Sequence, residues 1–441
     1  MFEKVLIPTD LSELSEKIVA RTGRMNNIRE IILLHILDIG VQDRGRKDLG
    51  QAGSSAVSNA REKLSHQREL IENPAIAVRL IVRESADDSI PEAILKTAEI
   101  ERPSLIVMGA RKGLLSGSLL GSGGTAVLSR GRTHILVMRF LEKGILTRAI
   151  PEEPGGNIFA KILFPLDFSK PAKDALSYIV MLDGISEVIL LHVIRKIERQ
   201  ESMNLHVREV EMRLSDAREI LRKTRPDVRV KLMVRFGNPF QQICRVSSEE
   251  QVSLIMMSRF GKMDYIKKIP LGITTSKVAR EAKKPVLVIF TDIHLDIHVR
   301  ELSTGEFYFA EKIWIDYHQT KSDPGTDRIF CVFVEDTPVS VARCKRHPDG
   351  YEIDGIFTWK EFRGNGYARK TISALIDGCG DEILYMYAVL PLVNFYSSLG
   401  FEPIREHELP TTIRGRYAWA MGDMNAADVC PMKRVPVLEK K

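Results

Sequence analysis

The loop Arg363-Gly-Asn-Gly-Tyr-Ala368 lies between an apolar, strand-like stretch and a helical pattern in the last third of the chain. Successive backbone N–H groups of such a loop and of the first helical turn can surround a pyrophosphate, and the helix dipole favours the negative charge. Gly364 and Gly366 would let a ligand approach the backbone closely. A dinucleotide-binding loop is the rival interpretation, but no GxGxxG is present. The loop therefore predicts a phosphate-binding turn of another kind.

A second glycine-rich loop, Met108–Thr125, follows a strand-like run and precedes a short helical pattern. Its glycines would let backbone N–H groups approach phosphate oxygens, and Ser122 could donate its hydroxyl. The loop is not a Walker motif, which the sequence lacks. Loops of this composition are ordinary turns at least as often as phosphate sites. Both interpretations stay open at this point.

Length and composition limit the classes of protein that could carry these loops. The 441 residues predict about three domains, and no apolar run approaches the roughly 20 residues of a membrane helix. The net charge of +6 comes without a Lys/Arg block, which argues against a dedicated nucleic-acid binder. The five cysteines form no CxxC pair, so neither disulfides nor a metal site is predicted. The N-terminus has no signal-peptide pattern, and we expect a cytoplasmic protein.

The first two thirds of the chain contain a duplication. The segment Lys4–Ser12 returns as Lys161–Ser169, and 31–37 returns as 188–194, both at an offset of 157 residues. All three tryptophans and four of the five cysteines lie after residue 300, so the last third is a different kind of domain. We therefore predict two copies of one unit followed by a third domain.

Each copy is predicted to be a doubly wound α/β domain. In the first copy, apolar runs at 4–8, 31–37, 76–82, 104–108 and 134–139 alternate with helical patterns such as Glu13–Arg24. Such folds bind ligands beyond the carboxyl ends of their strands, where Asp10 and Asp167 are expected. His35 and His192 lie inside apolar strands, and we interpret them as hydrogen-bonded core histidines rather than ligands.

Both copies resemble the universal stress protein family, over residues 1–140 and 158–291, with 141–157 as a linker. The resemblance implies ATP or a related nucleotide in the first copy, with the ribose near Asp10 and the adenine near Ile36. The residues implied for the phosphates are Gly109, Gly121 and Ser122. It also implies an internal pseudo-dimer, in which 133–140 pairs with 285–291. The second copy departs further from the family pattern, because Ser258 replaces the first glycine and Gly272-Ile273 lacks the hydroxyl.

From about residue 292 the pattern is that of an α+β domain. Antiparallel strands are predicted at 329–335, 339–345 and 351–358, and the loop at 363–368 is followed by an amphipathic helix and a strand at 383–389. Together with Asn394-Phe-Tyr396 and Gly400-Phe-Glu-Pro403, these elements resemble the GNAT N-acetyltransferase family, in a domain spanning 292–441. The implied fold is a mixed sheet that splays between its fourth and fifth strands, with acetyl-CoA in the opening.

The GNAT resemblance implies a role for particular residues. Those implied for binding CoA are Ile356, Thr358, Arg363, Gly364, Asn365, Gly366, Tyr367, Ala368 and Asn394. Tyr396 occupies the place of the general acid, since a phenol of pKa about 10 can protonate a departing thiolate. Glu352 or Asp354 is the expected base, and residues two apart share one face of a strand.

Each of these residues also has a structural interpretation. Tyr396 can be a packing aromatic, Glu352 and Asp354 can be solvated charges, and Asn394 can cap a helix at 395–399. Trp314, Trp359 and Trp419 are expected in the core, and Cys379 is expected to be structural rather than a nucleophile.

The sequence thus predicts an acetyl-CoA-dependent N-acetyltransferase that acts on a primary amine of a protein or small molecule. The tandem domains would bind nucleotide and regulate it. The alternative is a nucleotide-binding stress-response protein whose C-terminal domain binds CoA without catalysis. Neither a nucleic-acid nor a membrane partner is expected, and the oligomeric state and the acceptor stay open.

Overall fold

The computed structural model describes residues 1–38, 49–85, 88–110, 122–139, 157–195, 200–267, 269–292, 294–315, 320–416 and 429–436. The chain divides into two compact units, Met1–Ile293 and His294–Lys441. Residues 141–156 of the predicted linker, Gly121 of the predicted phosphate loop and Trp419 lie outside the described residues.

The first copy of the duplicated unit alternates strands and helices as its pattern predicts. Its elements are β1 (Lys4–Pro8), α1 (Glu13–Gly23), β2 (Glu30–Asp38), α2 (Leu49–Glu69), β3 (Ala77–Ser85), α3 (Ile90–Glu101), β4 (Leu105–Ala110), α4 (Ser122–Arg130) and β5 (His134–Arg139). The first helix begins where Ser12 accepts a hydrogen bond from the N–H of Ser15, which is an ordinary N-cap.

The second copy repeats this order. Its elements are β6 (Lys161–Pro165), α5 (Lys170–Ser177), β7 (Glu187–Ile194), α6 (Gln200–Thr224), β8 (Arg229–Phe236), α7 (Pro239–Glu249), β9 (Leu254–Ser258), α8 (Lys262–Ile266), α9 (Ile273–Glu281) and β10 (Val286–Ile289). In this copy α7 begins at Pro239, and the Asn238 side chain caps it by accepting from the N–H of Gln241.

The two copies form one ten-stranded sheet in the order β3-β2-β1-β4-β5-β10-β9-β6-β7-β8. Pairing within each copy is parallel, and the copies meet where β5 and β10 run antiparallel, with Val286 opposite Val137 and Val288 opposite Ile135. The predicted doubly wound fold is therefore confirmed, and the predicted pairing of the last strands is observed.

The strands of this sheet are buried on both faces. Val5 and Ile7 of β1 belong to one apolar cluster and Leu6 to the cluster on the opposite face, as the two-residue period of a strand requires. His35 is half-buried on β2 with its Nδ1 2.9 Å from the carbonyl oxygen of Thr9, and the half-buried ring of His192 repeats the contact at 2.7 Å from the carbonyl oxygen of Leu166. Both histidines are therefore hydrogen-bonded, as interpreted from the sequence, but they lie at the margin of the core rather than inside it.

The C-terminal unit is an α+β domain. Its elements are β11 (Ile297–Glu301), α10 (Tyr308–Trp314), β12 (Asp327–Val334), β13 (Thr337–His347), β14 (Gly350–Thr358), α11 (Tyr367–Cys379), β15 (Leu384–Val389), α12 (Val393–Ser397), β16 (Glu402–Pro403) and β17 (Val429–Arg434). Residues 411–416 are also helical. The strands form a seven-stranded sheet in the order β11-β12-β13-β14-β15-β17-β16.

The fourth and fifth strands of this sheet separate. Of the nine residues of β14, only Tyr351 and Glu352 pair with β15, opposite Leu384 and Tyr385. Beyond Glu352, β14 keeps its pairing with β13 on one side, while β15 pairs along its full length with β17 on the other. The predicted mixed, splayed sheet is confirmed.

A β-bulge interrupts β14 beside this opening. The register with β13 shifts between Val341 and Arg343, so that Gly355 and Ile356 stand against one residue of β13. Gly355 has φ +59°, and a Cβ there would lie 2.8 Å from Cζ2 of Trp314. Trp314 is fully buried, as expected for a core tryptophan, and its indole N–H donates to the Gly355 carbonyl over 2.7 Å. Glycine is therefore required at this position for both space and conformation.

Candidate functional site

The loop of residues 363–366 lies between the far end of β14, which has separated from β15, and the start of α11. Gly364 and Gly366 have φ of +80° and +76°, and an added Cβ at either would meet nothing within 4 Å. These glycines are therefore needed for the left-handed backbone, and the space outside the loop is open. Because the first four N–H groups of a helix have no intrahelical partner, the start of α11 adds free donors beside the loop.

Side chains of the loop itself bond to the backbone that precedes it. The Arg363 Nε donates to the Thr358 carbonyl over 3.1 Å, and its guanidinium lies 5.4 Å from the centre of the Phe357 ring. The Asn365 side chain donates to the carbonyl of Phe362 over 3.1 Å. Arg363 and the following Arg369 are exposed. The loop therefore combines a fixed backbone with positive charge, which suits a pyrophosphate.

A chain of hydroxyls joins the end of β14 to the first turn of α11. Thr358 Oγ1 lies 2.8 Å from Ser340 Oγ, which accepts from Thr371 Oγ1 over 2.9 Å. Thr371 also contacts the carbonyl of Tyr367 at 2.9 Å. All three hydroxyls are buried. They set the strand end, where Ile356 and Thr358 are predicted to bind the pantetheine arm, against the helix that follows the glycine loop.

Tyr396 lies on the short helix α12, which follows β15 on the far side of the opening. Its ring is only 6% exposed and packs edge-on against Phe395 and Phe401, with centroids 5.1 and 6.4 Å away. Asn394 is the second residue of this helix, and Leu392 is its N-cap residue. The alternative that Asn394 caps a helix at 395–399 is therefore wrong, because the helix begins two residues earlier.

Glu352 is completely buried at the point where the two strands separate. Its Oε2 lies 2.8 Å from His347 Nε2 and 3.3 Å from Arg416 Nε. Burial, followed by the nearby Asp354 carboxylate, raises the pKa of Glu352 above its usual value, while Arg416, His347 and Tyr387 oppose this shift. The alternative that Glu352 is a solvated surface charge is wrong.

Asp354 shares this face of β14 but is held differently. Its two oxygens accept from Arg343 Nε and Nη2 over 2.6 Å each, and Oδ2 also accepts from Arg416 over 3.0 Å. Arg343 is buried and also pairs with Asp327 at 3.1 Å. Because two guanidinium groups occupy its oxygens, the geometry favours Glu352 over Asp354 as a base.

In the first copy of the duplicated unit, Asp10 is exposed just past β1. Its Oδ1 accepts from the N–H of Ser12 over 3.1 Å and from the hydroxyls of Ser12 and Ser15 over 2.5 and 2.6 Å. The carboxylate is thus fixed at the carboxyl end of the sheet, where ligands bind such folds. Ser122 is exposed and opens α4, and Ile36 is buried in β2.

The predicted phosphate role of Gly109 has a packing alternative. A Cβ at Gly109 would come within 2.5 Å of Ile18 Cδ1, because α1 packs closely over β4. This contact accounts for a glycine at this position without a ligand.

The corresponding site of the second copy is filled by its own side chains. Asp167 Oδ2 accepts from the N–H of Lys262 over 3.0 Å, and Oδ1 accepts from the N–H of Ser169 at the same distance. The Asp264 carboxylate accepts backbone hydrogen bonds from Ile273, at the start of α9, and from Gly261. Burial, opposed by these bonds and reinforced by Asp167, raises the pKa of Asp264. A carboxylate therefore occupies the helix N-terminus that a phosphate would need.

Comparison with known proteins finds matches to both copies of the duplicated unit and to the C-terminal unit. The universal stress protein family model matches residues 1–139 and 159–289, and the acetyltransferase (GNAT) family model matches 292–401. A universal stress protein of Methanocaldococcus jannaschii is 33% identical over 155 residues, covering 30% of this chain and 95% of that protein. One from Methanothermobacter thermautotrophicus is 31% identical over 134 residues, covering 28% and 85%.

Solved structures are similar to each part of the chain. The universal stress protein of Archaeoglobus fulgidus is 23% identical and covers 65% of this chain and 98% of its own, with a TM-score of 0.45. The ribosomal-protein-S18-alanine N-acetyltransferase of Escherichia coli is 17% identical and covers 33% and 99%, with a TM-score of 0.25. Among the described residues, no helix combines the length and apolar character that crossing a bilayer requires.

Proposed function

The chain belongs to the universal stress protein family through residues 1–139 and 159–289 and carries a GNAT match at 292–401, and from this premise we propose that it transfers an acetyl group from acetyl-CoA to a primary amine. The observation that carries the proposal is the separation of β14 from β15 directly after Glu352, with the glycine loop 363–366 at its border. An opening of this shape beside free backbone donors suits a long thioester with a pyrophosphate at one end.

The donor would lie along the separated edge of β14. Its pyrophosphate would accept hydrogen bonds from the backbone of the loop and of the first turn of α11, beside exposed Arg363. The bulge at Gly355 and Ile356 takes backbone groups out of the β13–β14 ladder. A backbone N–H released in this way can stabilise the oxyanion that forms at the thioester carbonyl.

The chemistry is direct attack of a neutral amine on the thioester. Glu352 is the base that we favour, because it is buried at the start of the opening and Asp354 is held by two guanidinium groups. Tyr396 would protonate the departing thiolate, since its side chain lies on the helix that follows β15. General acid catalysis of this kind contributes about 10²–10⁴-fold to a rate.

Calorimetric titration of acetyl-CoA into the full-length chain tests donor binding. Gly366→Ala should weaken binding at least tenfold, because alanine disfavours φ +76° at the start of α11. Gly305→Ala is the matched control, since Gly305 is exposed in a 3₁₀ turn with nothing within 4 Å of its added Cβ. Absence of binding by the wild-type chain would contradict the proposal.

Tyr396→Phe separates catalysis from binding. Acetyl transfer, measured in single turnovers with spermidine and polylysine as acceptors, should slow about 10²-fold or more while acetyl-CoA affinity is unchanged. Equal rates would remove Tyr396 from the mechanism. Binding of acetyl-CoA by the wild-type chain without transfer to either acceptor would favour the alternative, a stress-response protein whose C-terminal unit binds CoA without catalysis.

We further propose that the first copy binds ATP or a related nucleotide through Asp10 and Ser122, and that binding regulates the transferase. The support is the fixed, exposed Asp10 carboxylate at the carboxyl end of β1 and the presence of both functions in one chain. Coupling between such sites is typically 5- to 150-fold in affinity. Acetyl-CoA affinity and transfer rate that do not respond to saturating ATP would exclude regulation.

A further inference from the structure

The two oxygens of Glu352 have different surroundings. Oε2 is contacted by His347 Nε2 at 2.8 Å and by Arg416 Nε at 3.3 Å. Oε1 is buried and has no hydrogen-bond partner in the part of the chain that the structure describes. Buried carboxylate oxygens are almost always paired, so an unpaired one calls for an explanation. A ligand that brings its own donor is one such explanation.

The groups around Glu352 come from three strands and one helical segment. His347 ends β13, Asp354 follows on β14, Tyr387 lies on β15, and Arg416 comes from the helical segment 411–416. Arg416 is 35% exposed and pairs with Glu352 and Asp354 at once. The contacts of His347 and Arg416 are thus directed to Oε2 and to Asp354, and Tyr387 is a further group beside the carboxylate.

The turn between β13 and β14 is tied to the segment that carries Arg416. The backbone N–H of Thr412 donates to Asp349 Oδ2 over 3.0 Å, and the Thr412 hydroxyl bonds the other oxygen of the same carboxylate. His347 and Arg416 therefore belong to two segments that are fastened together beside Glu352. This arrangement holds both donors on one side of the carboxylate.

We propose that Oε1 of Glu352 receives the proton of the acceptor ammonium and that His347 and Arg416 are positioning residues that hold the carboxylate through Oε2. The inference rests on the proposed acetyl transfer. An ammonium supplies the donor that Oε1 lacks, and the paired state of Asp354 leaves Glu352 as the only base on this face of β14 among the described residues.

The step balances without a further reactant. Glu352 takes one proton from the ammonium, and the neutral nitrogen attacks the thioester carbon. The new C–N bond forms as the C–S bond breaks, the thiolate takes a proton from Tyr396, and Tyr396 regains one from the nitrogen. Glu352 then releases its proton to solvent.

The arrangement predicts pKa changes of opposite sign. Loss of Arg416, or of the hydrogen bond from His347, removes groups that stabilise the carboxylate, so the pKa of Glu352 should rise. Asp354→Asn removes a negative neighbour and leaves Arg416 to Glu352 alone, so the pKa of Glu352 should fall. A neighbouring charge at this range shifts a pKa by about 1 unit or more.

The test follows the Glu352 carboxylate directly in the full-length chain. Glutamate labelled with ¹³C at Cδ is titrated by NMR, and the Glu352 signal is the one that disappears in Glu352→Gln. The variants are Arg416→Gln, His347→Leu, His347→Gln and Asp354→Asn. Arg414→Gln is the matched control, because Arg414 is exposed on the same segment two residues from Arg416.

We expect the pKa of Glu352 to rise by about 1 unit in Arg416→Gln and His347→Leu. It should stay near the wild-type value in His347→Gln, whose amide can replace the donor, and in Arg414→Gln. Asp354→Asn should lower it; if that variant does not fold, the other four decide. If the pKa of Glu352 is unchanged in both Arg416→Gln and His347→Leu, the inference is overturned.

The pH dependence of kcat/KM, measured with spermidine and polylysine, separates this inference from the proposed function. The acid limb should move with the pKa of Glu352, in the same direction for each variant. Transfer with an acid limb that does not follow Glu352 would overturn the inference alone. No transfer by the wild-type chain would overturn the proposed function and, with it, the inference.

Discussion

Gly355→Ala should destabilise the C-terminal unit more than any other glycine replacement considered above. The side chain would need φ +59°, which costs a non-glycine residue about 1 kcal/mol, and its Cβ would press against Trp314 at 2.8 Å. Overpacking of a filled core costs about 1–3 kcal/mol. The free energy of unfolding should therefore fall by about 2–4 kcal/mol.

Urea unfolding followed by tryptophan fluorescence measures this loss. All three tryptophans lie after residue 300, so the signal reports the C-terminal unit even in the full-length chain. With an m value of about 2 kcal/mol per molar, the midpoint should fall by about 1–2 M urea. Acetyl-CoA affinity should fall as well, because the bulge borders the opening.

Two matched variants separate the contributions. Gly366 has a left-handed backbone with open space around it, so Gly366→Ala should lower the free energy of unfolding by about 1 kcal/mol through backbone strain alone. Gly305→Ala has neither strain nor contact and should stay within about 0.5 kcal/mol of wild type. If Gly355→Ala is as stable as Gly305→Ala, then neither the bulge conformation nor the contact with Trp314 requires glycine at position 355, and the reasoning is refuted.

The N-terminal unit allows two further predictions. Asp10→Ala should reduce ATP affinity at least tenfold in calorimetry. Asp167→Ala should leave ATP affinity unchanged, because both Asp167 oxygens already accept hydrogen bonds from backbone N–H groups. Binding of two ATP molecules per chain would contradict this prediction. Burial lowers the pKa of His134 to about 4, so between pH 6.5 and 4 the unfolded chain binds a proton that the folded chain does not. The free energy of unfolding should therefore fall as the pH falls from 6.5 towards 4, by up to about 1.4 kcal/mol per pH unit. His134→Asn should flatten this slope in urea unfolding followed by far-UV circular dichroism, and an unchanged slope would exclude His134 as the source.

Sequence patterns predicted the parts of the fold that depend on local order. The apolar runs at 4–8 and 134–139 are strands with the same bounds in the structure, and the repeat at a fixed offset predicted the paired copies. The loop 363–366 was found because glycine spacing reports backbone conformation directly. Features of this kind depend on residues that are adjacent in the sequence.

The surroundings of Glu352 could not be predicted in this way. Arg416 lies 64 residues from Glu352 in the chain and reaches it only because the sheet and the 411–416 segment bring them together. Arg343 and His347 lie on β13. The alternation of apolar and polar residues identifies such a strand, but it does not identify the partner of each side chain. The bulge at Gly355 was missed as well, since one glycine in a strand does not specify a register.

The two copies differ in charge at the place where the sequence predicts the phosphate loop. In the second copy, Asp264 lies between Ser258 and Gly272 and accepts the N–H of Ile273 at the start of α9. A polyphosphate there would have to displace a half-buried carboxylate and then lie beside Asp167, which adds like-charge repulsion. The corresponding sequence of the first copy, 109–125, contains Arg111 and Lys112 and no acidic residue. That sequence therefore offers no carboxylate of its own to the start of α4, and this favours the first copy over the second for the proposed nucleotide binding.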